Sequence, residues 1–228
     1  MKKIGLIGGT TWESTVDYYR IINKEVNKRL HGSHSAEIIM YSFDFEMIKP
    51  LLDKNDFDSV GKLMVEKARL VESAGAECLI LCANTAHKWA DQIKQNIRIP
   101  LIHIADATGR VIQKSGIKKL ALLGTKFTMS GDFITKKLER DYGLDVVVPD
   151  QKSRETVHQI IFDELTKSIF TSSSKQKLIE IIHQLENIDG VILACTELPL
   201  IIKPEDTRLK LFDTTEIHAR AVVDFALS

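Results

Sequence analysis

"LILCANT", residues 79–85, runs from an apolar core segment into an Asn-Thr pair, and "VILACTE", residues 191–197, repeats the plan. Short apolar runs without polar alternation are the mark of parallel strands covered on both faces. The polar pair that follows reads as the start of a helix, with an Asn or Thr cap and unspent backbone N–H groups. A second match joins "GLIGGT" (5–10) to "LALLGT" (120–125), each continuing through hydroxyl residues into a helical pattern. "PLIHIADAT" (100–108) and "KLFDTTEIH" (210–218) correspond more loosely. The chain therefore reads as two similar α/β lobes related by an approximate twofold.

The same alternation fills the rest of the sequence. Strands are expected at 3–9, 37–43, 78–83, 100–105, 119–125, 144–149, 190–195 and 209–214. Helices are expected at 13–30, 58–74, 86–95, 106–114, 130–141, 152–168, 174–187 and 215–227. Strand and helix in regular alternation predict doubly wound parallel sheets of Rossmann-like or flavodoxin-like kind. The expected division is 1–102 plus 213–228 for the N-terminal lobe and 103–212 for the second. Open α/β sheets bind ligands beyond the carboxyl ends of their strands. The expected active site is a cleft between the lobes, lined by the polar turns at those ends.

Composition narrows the function. The 228 residues are 44% hydrophobic and 27% charged, ordinary globular usage. Thirty-one Lys and Arg balance 31 Asp and Glu, so no net positive field would gather nucleic acid or anionic lipid. Runs such as "CLILCA" (78–83) are too short to span a bilayer, and "MKK" leads into a strand rather than a signal segment. Cysteines at 78, 82 and 195 make no disulfide framework and lack zinc spacing. A reduced, cytoplasmic protein without metal is the expectation, with a small molecule as its partner.

Pairing the two matched segments decides which cysteine counts. Cys82 aligns with Ala194, and Ala83 aligns with Cys195. Because successive strand residues point to opposite faces, only one residue of each pair can face a ligand. If the lobes are equivalent, the facing positions are 83 and 195. Cys82 and Cys78 then become small buried hydrophobes, the usual fate of a free cysteine. Cys195 ends its strand beside Thr196 and Glu197, in a turn whose N–H groups can act on a thiol. Four donor-rich turns, at 8–14, 84–85, 124–130 and 195–197, suit a small anion with more than one carboxylate. Gly9, Thr10, Asn84, Thr85, Thr125, Thr196 and Glu197 are the candidate binding residues. "GGT" is no Walker loop, and "IGLIGGT" lacks the dinucleotide fingerprint, which disfavours nucleotides. His87 and His103 read first as surface and core residues, Trp12 and Trp89 as packing residues, and His158, Glu164 and Lys167 as solvated helix surface.

"IGLIGGTTWESTVDYYRIIN" (4–23), "CANTAHK" (82–88), "IADAT" (104–108), "LLGTKFTM" (122–129) and "ACTEL" (194–198), in that order, resemble the aspartate/glutamate racemase family. The likeness covers nearly the whole chain. "WEST" (12–15), "HSA" (34–36), "HIADATGR" (103–110) and "QIIF" (159–162) are similar to the bacterial branch specific for L-aspartate and L-glutamate. The resemblance implies two pseudosymmetric lobes, no pyridoxal phosphate, no metal and a homodimer. It implies two cysteines working on opposite faces of Cα, one taking the proton as thiolate and the other returning one. Carried over by position, those sites are Ala83 and Cys195, with Asn84, Thr85, Thr125, Thr196 and the 8–10 loop in substrate-binding turns. The same branch tolerates threonine at the first site, whereas alanine has no exchangeable proton at all. No clear counterpart stands for the cation that some members use on a distal carboxylate; Lys167 is the nearest in sequence.

Three functions remain open at this level. The first is a lopsided racemase of acidic amino acids, with a water, Cys82 or His103 covering for Ala83. The second is a single-cysteine decarboxylase of the arylmalonate type. The third is a catalytically weak protein that binds acidic amino acids.

Overall fold

The computed structural model describes residues 1–228. In chain order the elements are β1 (Ile4–Gly8), α1 (Trp12–Leu30), β2 (Ile38–Ser42), α2 (Phe45–Asp53), α3 (Phe57–Ser73), β3 (Cys78–Leu81), a tight helical turn (Thr85–Trp89), α4 (Ala90–Lys94) and α5 (Ile104–Ser115). There follow β4 (Lys119–Gly124), α6 (Lys126–Ser130), α7 (Asp132–Tyr142), β5 (Asp145–Val147), α8 (Gln151–Gln159) and α9 (Ser172–His183). The chain closes with β6 (Gly190–Ala194), α10 (Leu198–Ile201), β7 (Lys210–Asp213) and α11 (Thr214–Ala226). It forms two compact units, Met1–His103 with His218–Ser228, and Ile104–Ile217.

In the first unit a three-stranded parallel sheet has the order β2-β1-β3. Its two faces carry separate cores. Ile4, Leu6, Cys78, Ile80 and Cys82 pack with Tyr18 and Ile22 of α1 and with Ala219, Val222 and Val223 of α11. Ile7, Leu79 and Leu81 pack with Val60, Met64 and Ala68 of α3, and Ala83 lies against the edge of that group. Strand alternation thus sends Cys82 and Ala83 to opposite faces. The expected fourth strand, 100–105, contracts to one bridge at Leu101. Leu79 N–H donates to the Pro100 carbonyl and Ile102 N–H to the Leu79 carbonyl, each at 2.9 Å. Beyond it the chain turns helical at Ile104, where Ile104, Ala105, Ala107 and Ile112, with Thr108, recur at helical spacing and are buried.

The second unit is a four-stranded parallel sheet, β5-β4-β6-β7. Its core joins Leu120, Leu122, Ile192 and Ala194 to Ile134 and Leu138 of α7, Leu178 and Ile182 of α9, and Ile104 and Ile112 of α5. Strand for strand, β2-β1-β3 with the Leu101 bridge has the order of β5-β4-β6-β7. The helix expected over 152–168 is interrupted. After α8 it widens into a π turn (Ile160–Glu164) and tightens again over Leu165–Lys167.

Candidate active site

Register settles the correspondence between the units. In the first, Ile7 stands beside Leu81, and the ladder runs one step further as Cys82 N–H donates to the Ile7 carbonyl at 2.8 Å. Gly8 is therefore level with Cys82. In the second, Gly124 is level with Ala194. Both glycines lie under the first turns of the following helix. A Cβ on Gly8 would overlap the side chain of Thr15, and one on Gly124 would stand 3.3 Å from the Thr128 Cβ and 2.8 Å from the Ala194 carbonyl. Gly8 matches Gly124, Cys82 matches Ala194, and Ala83 matches Cys195. The sequence match that paired Gly9 with Gly124 is one residue out. Two extra residues, Gly9 and Thr10, lie between Gly8 and the Thr11 cap of α1, whereas Thr125 caps α6 directly after Gly124.

That two-residue excursion is why Gly9 is a glycine. It takes φ +80°, and a Cβ would overlap the backbone of Phe43, which anchors there by donating its N–H to the Gly8 carbonyl at 3.0 Å. Gly9 N–H is bound by the Thr15 Oγ1 at 2.8 Å, and that hydroxyl donates to the Thr11 carbonyl. Ser14 donates to the Cys82 carbonyl at 2.5 Å, tying α1 to the end of β3.

Cys82 is buried, and burial pushes its thiol far above the usual range; Cys78 rises to about 11 for the same reason. Cys195 is half-buried. Its Sγ–H donates to the Glu197 Oε2 at 2.8 Å, and the Thr196 hydroxyl donates to the same oxygen at 2.8 Å. Burial and the adjacent carboxylate raise the Cys195 thiol well above its ordinary value, against the backbone N–H groups of Thr196 and Glu197, which lower it. A protonated thiol in contact with a buried carboxylate is a proton donor with a proton acceptor behind it.

Asn84 and Thr85 open the turn after Ala83, and the Asn84 carbonyl accepts from His87 N–H at 3.1 Å. Thr125 caps α6 through Thr128 N–H at 3.3 Å. Within the first unit, Gly9, Thr10, Asn84, Thr85 and Ala83 all stand at the C-terminal ends of β1 and β3. Within the second, Thr125, Cys195, Thr196 and Glu197 stand at the ends of β4 and β6.

Several expectations shift. His87 is not a surface residue; it is 2% exposed, and its Nδ1–H donates to the Ala83 carbonyl at 2.9 Å. His87 packs against His103 and His218, ring centres 4.6 and 5.4 Å away. His218 Nε2–H donates to the Ile102 carbonyl at 2.7 Å, which leaves its Nδ1 to accept from the Tyr18 hydroxyl at 2.8 Å. This imidazole cluster was missed in the sequence, where the only trace is a histidine four residues ahead of Val222 on an apolar helix face. Trp89 packs and donates to the Phe57 carbonyl, but Trp12 is 66% exposed. His158 lies against Phe162 and accepts from Lys126 N–H at 3.4 Å, and Glu164 accepts from Ser174 and Thr171 rather than facing solvent. Lys167 is exposed. No group of three or more His, Cys, Asp or Glu side chains is disposed to hold a metal ion, and no helix is long and apolar enough to cross a membrane.

Parallel sheets of one strand order place a thiol–carboxylate pair and hydroxyl turns at their strand ends, the layout of an α/β enzyme class with its polar groups beyond the strands. The comparisons with known proteins carry that class to a family. The family model described as Asp/Glu/Hydantoin racemase matches residues 7–222, and the chain belongs to that family. It is an amino-acid racemase. It is 26% identical to the broad specificity amino-acid racemase RacX of Bacillus subtilis, over 99% of this chain and 98% of that one. Among solved structures, a candidate Asp/Glu racemase from Yersinia pestis is 43% identical with a TM-score of 0.95, each chain covered in full. PH1733, an aspartate racemase homologue from Pyrococcus horikoshii, is 38% identical with a TM-score of 0.87, also over the full length of both.

Proposed function

We propose that the chain racemises acidic amino acids, aspartate or glutamate, without pyridoxal phosphate, using Cys195 as a thiol acid–base group while Ala83 occupies the position of its usual partner. The observation that carries this reading is the Cys195–Glu197 hydrogen bond just beyond β6, at the place that Ala83 takes just beyond β3. The Cα–H of an amino acid is a very weak acid. The carbanion left by its removal must be held by donors on the α-carboxylate, a role suited to the turn residues Thr10, Asn84, Thr85, Thr125 and Thr196.

Glu197 gives the thiol somewhere to send its proton. When the Cys195 proton passes to the carboxylate, the thiolate left behind is a strong base, because its neighbours disfavour it. It takes the Cα proton and becomes a thiol again, and the reverse step returns a proton to the carbanion. We further propose a cytoplasmic homodimer, as the family resemblance implies.

Incubation with L-aspartate or L-glutamate in heavy water tests the reading. Deuterium at Cα with inversion is the expected result. Deuterium without inversion reduces the activity to exchange on one face. Binding with no exchange overturns racemisation, and carbon dioxide release from an arylmalonate marks the single-thiol decarboxylase instead. RacX is named for broad specificity; a panel of neutral and basic amino acids decides whether acidic substrates are preferred.

A further inference from the structure

Glu197 is 5% exposed, yet no cation pairs with its carboxylate. Two donors meet it instead, the Cys195 thiol and the Thr196 hydroxyl, both at Oε2 and both at 2.8 Å. A buried carboxylate without a counter-ion depends on such hydrogen bonds to keep its charge. The main chain of the turn is fixed separately. Leu198 N–H donates to the Cys195 carbonyl at 3.3 Å, and Leu200 N–H donates to the Glu197 carbonyl at 3.0 Å. What those bonds leave open is the glutamate side chain, with several rotatable bonds to settle. The equivalent turn of the first unit, Ala83-Asn84-Thr85, offers neither thiol nor carboxylate.

We propose that the Thr196 hydroxyl is a positioning group for the thiol–carboxylate pair, holding Glu197 Oε2 against the Cys195 thiol and taking up part of that oxygen's negative charge. For its effect on turnover this role rests on the racemase reading above. Thr196 stands in a turn suited to the substrate carboxylate, but its hydroxyl carries one proton, and that proton is spent on Glu197. Sharing the oxygen has a consequence for the sulfur. Glu197 raises the Cys195 thiol through its charge and its hydrogen bond. A second donor on the same oxygen weakens that pull on the thiol proton. With the hydroxyl removed, the full acceptor strength of Oε2 falls on the thiol, which keeps its proton to higher pH. The carboxylate also loses the contact that fixes its rotamer. When the thiol hands its proton to Oε2, the S–H bond breaks, an O–H bond forms and a thiolate remains; the Thr196 hydroxyl keeps its own proton throughout.

The test compares wild type with Thr196→Val, Thr196→Ser, Glu197→Gln, and the double variant Thr196→Val with Glu197→Gln. Iodoacetamide alkylation at Cys195, located by peptide mass, is followed against pH. The kcat and KM are measured on L-aspartate and L-glutamate. The expected result is a Cys195 thiol that titrates about one pH unit higher in Thr196→Val. Its kcat falls about 10–10²-fold while KM changes little. Serine keeps the hydroxyl and returns both quantities towards wild type. In the double variant, valine adds little to the loss in Glu197→Gln, because the hydroxyl acts through the carboxylate. A wild-type alkylation profile in Thr196→Val, with KM raised instead, overturns the proposal and makes the hydroxyl a substrate donor. Losses that multiply in the double variant overturn it too. Thr196→Ala supplies the same readings if valine disturbs the turn. Should the wild type turn over neither acid, the racemase reading fails, and the alkylation profiles alone decide the role of Thr196.

Discussion

Cys195 and Glu197 form a donor–acceptor pair two residues apart, Sγ to Oε2 2.8 Å, where β6 gives way to α10. The short spacing matters. The carboxylate is carried by the same turn as the thiol, so the contact does not depend on any distant element. Cys82, by contrast, has the packing of a core residue. Cys195→Ala is expected to abolish both inversion and deuterium incorporation, while Cys82→Ala keeps most of the activity and loses about 1 kcal/mol of stability. Comparable activity losses in the two variants would mean that the facing assignment is reversed.

Glu197→Gln separates electrostatics from geometry. The carboxylate raises the Cys195 thiol through its charge and its hydrogen bond, whereas burial remains after the change. The thiol should therefore titrate at lower pH in Glu197→Gln, giving more thiolate at neutral pH and faster alkylation by iodoacetamide. Racemisation should fall even so, by about 10²-fold, because the proton acceptor is gone. The check is the alkylation rate against pH for both proteins. Slower alkylation in Glu197→Gln would show that the carboxylate activates the sulfur chiefly by taking its proton.

Gly9→Ala and Gly75→Ala form a contrasting pair. Both glycines have positive φ, +80° and +99°. A Cβ at Gly75 meets nothing within 4 Å, so only the backbone strain of about 1 kcal/mol applies. At Gly9 the Phe43 backbone blocks the methyl, and the expected cost is about 2–4 kcal/mol. Urea unfolding of the two variants measures the difference; equal costs would mean that the Phe43 segment yields.

Much of this architecture was legible in the sequence because parallel strands leave a strong apolar signature. The runs at 3–9, 119–125 and 190–195 became β1, β4 and β6 within a residue at each end. What failed did so for physical reasons. "PLIHIA" has strand composition, but its second half belongs to the buried face of α5, and local composition does not distinguish the two. The one-residue slip at Gly9 arose because "GGT" and "GT" look alike, whereas the ladder and the Thr15 contact fix Gly8 as the partner of Gly124. The imidazole cluster draws on residues at 87, 103 and 218, and only the tertiary fold brings them together.

That cluster should leave a mark on stability. Burial drives the His218 imidazole down from 6.5 to about 4, while its hydrogen bond to the Ile102 carbonyl opposes the shift. In the fold the ring stays neutral; in the unfolded chain it takes up a proton near its ordinary value. The unfolded state therefore binds more protons between those two values, and stability rises with pH across that interval. The contribution is complete above pH 6.5 and is lost as pH falls towards 4, amounting to about 3 kcal/mol. His87, lowered by burial and by its two imidazole neighbours, acts in the same direction. His218→Gln removes the titrating group and should flatten the dependence while costing about 1–3 kcal/mol at pH 7 from the disturbed Tyr18 and Ile102 contacts. Urea unfolding at several pH values from 7 down to 4.5 follows both effects. If wild type and His218→Gln lose stability in parallel on acidification, carboxylate protonation rather than the buried imidazole governs the acid limb.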